Sequence, residues 1–282
     1  MTGAAVSALP RADITWIADH PPSARAATTD GRVVYAIGDI HGCYTQLVAL
    51  IEEIVADIAR TGEGRSASLI FMGDYVDRGP DSAKVLDALV WMKRQAPFDV
   101  AFLRGNHEAM LLQFLERPDR ALPWLEHDGI GTLASYGVAA GPEDDCFQLR
   151  DRLLDAMPAA HLALLRGLPV RVIRGTYVFV HAGLRPGVAL ARQSDDDCLW
   201  IRDEFLRRDY RFEKIVVHGH SWRSELPEVT DHRIGIDTGV YATGVLTAVR
   251  LDGAEIAFAQ ARLDPDRDAA ANRAPSEDGM GS

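Results

Sequence analysis

Three short blocks carry side chains able to hold a metal ion or move a proton: Gly38-Asp39-Ile40-His41-Gly42, Gly73-Asp74-Tyr75-Val76-Asp77-Arg78-Gly79 and Arg104-Gly105-Asn106-His107-Glu108. Each follows a short apolar run. Singly, such a block reads as a turn, where glycine supplies positive φ and aspartate bonds its own backbone. Repeated after three successive runs, the pattern sets Asp39 with His41, Asp74 and Asn106 in register. Downstream, His181 in VFVHAG and His220 in VVHGHS again stand close after apolar runs. This mixture of oxygen and nitrogen donors suits a pair of borderline divalent ions, Mn2+ first and Fe2+ or Zn2+ next, whereas an all-oxygen shell suits Mg2+ or Ca2+. Two such ions ~3.5–4 Å apart can activate a water and stabilise both ends of an in-line displacement at phosphorus.

The elements that must position these groups can be read from periodicity. Val33 to Ile37 precedes a helical pattern near Tyr44 to Arg60, Ser68 to Met72 one near Pro80 to Gln95, and Phe98 to Leu103 one near His107 to Leu115. Strands alternating with helices give βαβ units and a largely parallel sheet, with ligands at the carboxyl ends of the strands. After a helical segment from Pro123 to Arg166 the pattern changes. Val170 to Ile173 and Tyr177 to Val180 read as a hairpin turning at Arg174-Gly175, with further strands at Lys214 to Val217, Arg233 to Ile236, Val245 to Leu251 and Glu255 to Gln260. The expected fold is α/β, a mixed two-sheet β-sandwich with βαβ units flanked by helices. Residues 1–31 read as an arm or disordered leader, 32–262 as one catalytic domain and 263–282 as a flexible tail.

With these blocks in order, the chain resembles the metal-dependent phosphoprotein phosphatases of the calcineurin-like metallophosphoesterase fold, in particular the bacterial and phage-lambda-like members. The resemblance runs from about residue 32 to 260 through GDIHG, GDYVDRG, GNHE, HAG, GHS and IDTG at Ile236 to Gly239. It implies Asp39 and His41 on a first metal, Asp74 bridging, and Asn106, His181 and His220 on a second. It further implies Arg78, Arg104 and Arg202 on the substrate phosphate, and His107 as general acid with Asp77 orienting its ring. The nucleophile would be a hydroxide held by the two metals. Where the family often has Thr-Pro after the last histidine, this chain has Ser221-Trp222, which alters the rim of the cleft.

The resemblance ranks phosphoserine and phosphothreonine proteins first as substrates, with phosphotyrosine as an extension. Hydrolysis of dinucleoside tetraphosphates is the alternative: those relatives usually carry Gln at the His41 position and Asp at that of Glu108, so both positions here favour the phosphatase branch. A silent phosphoprotein-binding scaffold is the reading of another class, and it would have lost a ligand or the His107–Asp77 pair. Other residues have blander expectations. His127 to Gly131 is read as a glycine-bearing loop near the cleft, Asp195-Asp196-Asp197 as solvent-facing or a cap for a helix over Leu199 to Arg208, and His218 as a sheet or rim residue. His20, His161 and His232 have no suggestive spacing.

Composition bounds the partners. A net charge of −11 at pH 7 argues against a broad nucleic-acid or anionic-membrane surface and leaves phosphate recognition to local arginines. Three scattered cysteines, Cys43, Cys146 and Cys198, suit a reducing cytoplasm better than a disulfide framework. No apolar run nears the ~20 residues of a membrane span.

Overall fold

The computed structural model describes residues 12–17, 27–61, 65–141, 144–207 and 210–263. His20 and the tail from Asp264 lie outside the described residues. The strands are β1 Ala12–Ile17, β2 Val33–Ile37, β3 Ala67–Phe71, β4 Asp99–Phe102, β5 Arg171–Arg174, β6 Tyr177–Val180, β7 Ile215–His218, β8 Glu228–Val229, β9 Arg233–Gly235, β10 Val245–Asp252 and β11 Glu255–Leu263. Three helices matter most to the site: α1 Tyr44–Thr61, α2 Ser82–Gln95 and α3 Asn106–Glu116.

Side-chain alternation explains why two sheets form. Along β2, Val33, Tyr35 and Ile37 point into a core shared with α1, α2 and α3, while Val34 and Ala36 point into a second core. Successive strand residues face opposite ways, so an all-apolar strand must be covered on both sides. The second core is filled from one sheet by Val34, Ile70 and Phe258 and from the other by Phe179, Val217 and Ile234. A third cluster, including Val178, Val216, Phe205 and Phe212, covers the outer face of the second sheet. The result is the expected mixed sandwich of two sheets flanked by helices.

The six-stranded sheet runs β1-β11-β10-β2-β3-β4, and the five-stranded sheet β5-β6-β7-β9-β8. β2, β3 and β4 are parallel, as are β6, β7 and β9. Five strand ends, those of β2, β3, β4, β6 and β7, therefore deliver their following loops to one edge of the sandwich. Two differences from expectation stand out. The leader holds an edge strand: β1 pairs antiparallel with β11, and Trp16 Nε1 donates to Glu53 Oε1 of α1 at 2.9 Å. The hairpin turns on Gly175 and Thr176, since Arg174 pairs with Tyr177, and Gly175 takes φ +57°.

Candidate metal centre

The loops after β2 and β3 lie backbone against backbone. Ile40 and His41 both donate N–H to Asp74 O, at 2.9 and 2.8 Å, and Gly79 N donates to His41 O at 3.0 Å. A Cβ on Gly79 would come 2.1 Å from His41 O, so this contact requires glycine. The buried Glu108 of α3 then braces the β3 loop from behind: Oε2 accepts from Asp74 N and Gly105 N at 2.9 and 2.8 Å, and Oε1 from Tyr75 N at 2.7 Å. Those bonds also cap α3, whose first turn turns His107 N toward Asp74 Oδ1 at 3.1 Å. Partial positive charge at a helix N-terminus favours the Asp74 anion.

His41, Asp74, Asp77, Arg78 and His220 all take φ between +45° and +72°; among the described residues only Asp30 joins them as a non-glycine with positive φ. Such conformations are costly for most side chains and gather at functional sites where the surroundings impose them.

The side chains carried by this frame converge around Asp74. His41 Nε2 lies 3.5 Å from Asp74 Oδ2, and His181 Nε2 lies 3.4 Å from Asp74 Oδ1. His41 and His181 meet the main-chain oxygens of Val76 and Met72 through Nδ1, each at 3.0 Å. A carbonyl only accepts, so Nδ1 must carry the proton and Nε2 keeps a lone pair. Asn106 Oδ1 sits 2.8 Å from His181 Nε2, bringing two acceptors face to face. Asp39 accepts from His220 N through Oδ2 at 2.9 Å, while its Oδ1 is buried with no partner. Unpartnered acceptors this close are costly unless a cation joins them, so the donor set fits divalent metal. Two groups, His41 with Asp74 and His107, and Asp74 with His181 and His220, hold their donor atoms within 4.8 Å of one another.

Electrostatics separates these histidines. Burial pulls His41 down to about 3 and His220 to about 2, and lowers His181 as well, so all three are neutral. His107 goes the other way, to about 9: burial pulls it down, but Asp74 and a 2.7 Å bond from Nδ1 to Asp77 Oδ2 more than reverse this. Burial pushes Asp74 up too, yet the positive charge of the imidazoles around it, present on each wherever it is protonated, holds it below the usual carboxylate range. Asp39 is raised by burial and by Asp237 and Asp74.

Asp77 is fully buried and does not cap α2, whose N-cap is Asp81. Its carboxylate instead accepts from Trp124 Nε1 at 2.8 Å and Thr132 Oγ1 at 2.5 Å besides meeting His107. Sequence reasoning missed Trp124 and Thr132, which lie 47 and 55 residues beyond Asp77, on either side of the stretch from His127 to Gly131. The expected loop from His127 to Gly131 is helical: a π-helical turn over Leu125–Gly129 runs into the helix Ile130–Ser135. The stretch reaches the site through Asp128, whose Oδ1 accepts from Arg78 Nε at 3.2 Å.

The arginines divide. Arg78 also brings Nη1 to 3.4 Å from His41 Nε2, and Arg202 donates Nε to His220 Nε2 at 3.0 Å. Arg202 is not in a surface helix; it stands between the helices Asp195–Trp200 and Asp203–Leu206. The first of those is capped by Ser194 Oγ, and Asp197 pairs with Arg185. Arg104 lines an open cavity with Pro169, Arg171 and Asp195, and its Nε is buried without a partner. His218 is the buried last residue of β7, and His161 is buried between Asp87 and Tyr136.

Comparison with known proteins fits this geometry. The profile of the calcineurin-like phosphoesterase family matches residues 32–232. A bis(5'-nucleosyl)-tetraphosphatase PrpE, asymmetrical, of Geobacillus thermodenitrificans is 29% identical over 237 residues, 76% of this chain and 88% of that protein. A symmetrical bis(5'-nucleosyl)-tetraphosphatase of Dechloromonas aromatica is 35% identical over 153 residues, 54% of this chain and 44% of that one. Among solved structures, a candidate diadenosine tetraphosphatase superposes with a TM-score of 0.56 at 22% identity, covering 82% of this chain and 96% of its own. A protein serine/threonine phosphatase from Saccharomyces cerevisiae does so with a TM-score of 0.51 at 15% identity, covering 86% and 84%. At these identities the two structures speak for the fold alone.

Proposed function

We propose that this chain, which belongs to the calcineurin-like phosphoesterase family, hydrolyses the phosphate chain of a dinucleoside polyphosphate. The single observation that carries hydrolysis at phosphorus is the buried set of acceptors around Asp74, with the His107–Asp77 pair at its edge. The substrate class is supported by the relatives named bis(5'-nucleosyl)-tetraphosphatases, which reverse the order that His41 and Glu108 suggest in the sequence.

Asp39, His41 and Asp74 would hold one divalent ion, and Asp74, Asn106, His181 and His220 the other. Bound there, the ions supply Lewis acidity at the phosphoryl oxygens and lower the pKa of water at phosphorus. Arg78 and Arg202, each already within 3.4 Å of a ligand histidine, neutralise the non-bridging oxygens, which planar guanidinium groups match bidentately. Arg104 is the third arginine proposed for the phosphates; its Nε is buried without a partner. His107 is a proton donor rather than a ligand, although its ring borders the cluster. Its Nδ1 is taken by Asp77 Oδ2 at 2.7 Å, and its Nε2 lies 3.9 Å from Asp74, farther than the Nε2 of His41 at 3.5 Å or of His181 at 3.4 Å. With Nδ1–H held by Asp77, Nε2–H is left to protonate or hydrogen-bond the departing oxygen.

A phosphoserine or phosphothreonine phosphatase is the second reading, favoured by an imidazole at His41 and by Glu108, whose carboxylate braces three backbone N–H groups at under 3.0 Å. The deciding experiment assays the Mn2+-supplemented protein on diadenosine tetraphosphate and on a phosphoserine/phosphothreonine peptide panel. Faster cleavage of the dinucleotide upholds the proposal; turnover of peptides alone makes the second reading correct.

A further inference from the structure

Two aromatic side chains at the cluster have no part in the phosphate chemistry. Trp222 and Tyr241 are 37% and 40% exposed, with ring centroids 6.3 Å apart at 87°. Tyr241 stands edge-on to His41, 5.3 Å between rings, and the Arg78 guanidinium lies 4.5 Å over its face. The wall is thus continuous with a ligand histidine and with a phosphate-facing arginine. Trp222, two residues after His220, is seated by the backbone. Its indole lies on Gly239, where a Cβ would come 2.4 Å from Trp222 Cδ2, and Gly239 takes φ +65°. Nε1 of the indole reaches the Tyr241 hydroxyl at 3.4 Å.

Trp222 also lines a cavity of about 200 Å³ together with Ser221, Arg223, Leu226, Pro227 and Asp237, among others. Ser221 Oγ is buried there with no hydrogen-bond partner. An exposed but fixed aromatic face beside a small cavity with a spare hydroxyl suits a planar, polar-edged ring.

We propose that the Trp222 indole is the face on which the base of a nucleoside 5'-phosphate stacks, Tyr241 standing perpendicular at its edge and Ser221 Oγ bonding the edge of that base. This rests on the dinucleotide reading and names the part of the site that would recognise the nucleoside. Stacking of a base on an aromatic side chain is worth roughly fivefold to a hundredfold in affinity.

The test is calorimetric binding of adenosine 5'-monophosphate and of ribose 5-phosphate to the full-length, Mn2+-loaded protein. The two ligands share phosphate and sugar and differ in the base. The native protein is expected to bind the nucleotide about tenfold or more tightly than the sugar phosphate. Trp222→Ala should erase most of that preference, Trp222→Phe keep most of it, and Ser221→Ala lower it a fewfold. Equal affinities in the native protein, or a preference that Trp222→Ala leaves intact, would overturn the proposal. Should Trp222→Ala misfold by circular dichroism, Trp222→Phe and Ser221→Ala decide: both must lie between native and zero preference. Diadenosine tetraphosphate hydrolysis, assayed separately, tests the parent reading. Base preference without hydrolysis removes the dinucleotide substrate and keeps the wall, while hydrolysis without base preference does the reverse.

Discussion

At the scale of the residue, His107 divides possible substrates by their leaving groups. A serine alkoxide is a very poor leaving group at neutral pH and needs a proton as it departs, while a phosphate leaving group, with a pKa of roughly 6, needs little help. His107→Asn should therefore slow cleavage of a phosphoserine peptide by about 10²–10⁴-fold and diadenosine tetraphosphate markedly less, with metal content unchanged. Equal losses on both would deny His107 the donor role. Asp77 depends on partners found only in three dimensions. Trp124→Phe removes the indole N–H that meets Asp77 Oδ2, which should cost about 1–3 kcal/mol of stability, read from denaturant unfolding. It should also slow turnover while leaving KM near native. The roles of Asp77 and His107 could be framed from the sequence because both stand inside blocks. Trp124 and Thr132 could not, since each acts across a tertiary contact from a segment expected only to be helical, whereas Asp128 was legible as part of the stretch expected near the cleft.

At the scale of the element, the strand-to-loop junctions do most of the positioning, and they were the most legible part of the chain. Residues of β2 and β3 face the two cores alternately and are all buried, so their runs were visible, and each ends where a motif starts. The strand at Ala12–Ile17 was hidden because Pro10, Pro21 and Pro22 surround it and because its pairing partner, β11, lies at the far end of the chain. The two residues of β8 carry too short a pattern to read. Glu108 shows how an element serves chemistry from outside the cluster. Replacing it by Gln would put an amide where a carboxylate receives N–H groups from Gly105, Asp74 and Tyr75, and the expected loss is about 2–4 kcal/mol. Thermal unfolding of Glu108→Gln measures it, and an unchanged midpoint would refute the bracing role. Farther away, the Tyr35 hydroxyl donates to Asp57 Oδ2 at 2.6 Å between β2 and α1. Burial first and Asp57 second raise the phenol well above its usual value. A raised folded pKa stabilises below the unfolded value and is lost as pH climbs past it. Stability should thus fall above about pH 10, less steeply in Tyr35→Phe, which starts about 1–2 kcal/mol lower at pH 7; denaturant curves at both pH values check this.

At the scale of the whole molecule, the proposed ligands arrive at one edge from both sheets: Asp39, His41, Asp74 and Asn106 from the first, His181 and His220 from the second. Metal should therefore tie the two halves together. An ion that binds only the folded chain adds about 2.7 kcal/mol at a hundredfold excess over Kd, so removal with a chelator should lower the melting temperature by roughly 5 °C or more, and Mn2+ should restore it. No helix among the described residues is long and apolar enough to cross a membrane. Order of motifs along the chain revealed the fold, because each block sits at a strand end. The substrate was less legible, because the residues that would choose it, Trp222 and Tyr241 among them, lie in the rim and carry no shared spacing with the blocks. The most direct measurement of the central claim is elemental analysis of the purified, Mn2+-reconstituted protein beside Asp74→Asn. About two ions per native chain are expected, as a two-metal site requires, and less than half of that in the variant. Fewer than about one ion in the native protein, or no loss on removing the Asp74 charge, would contradict it.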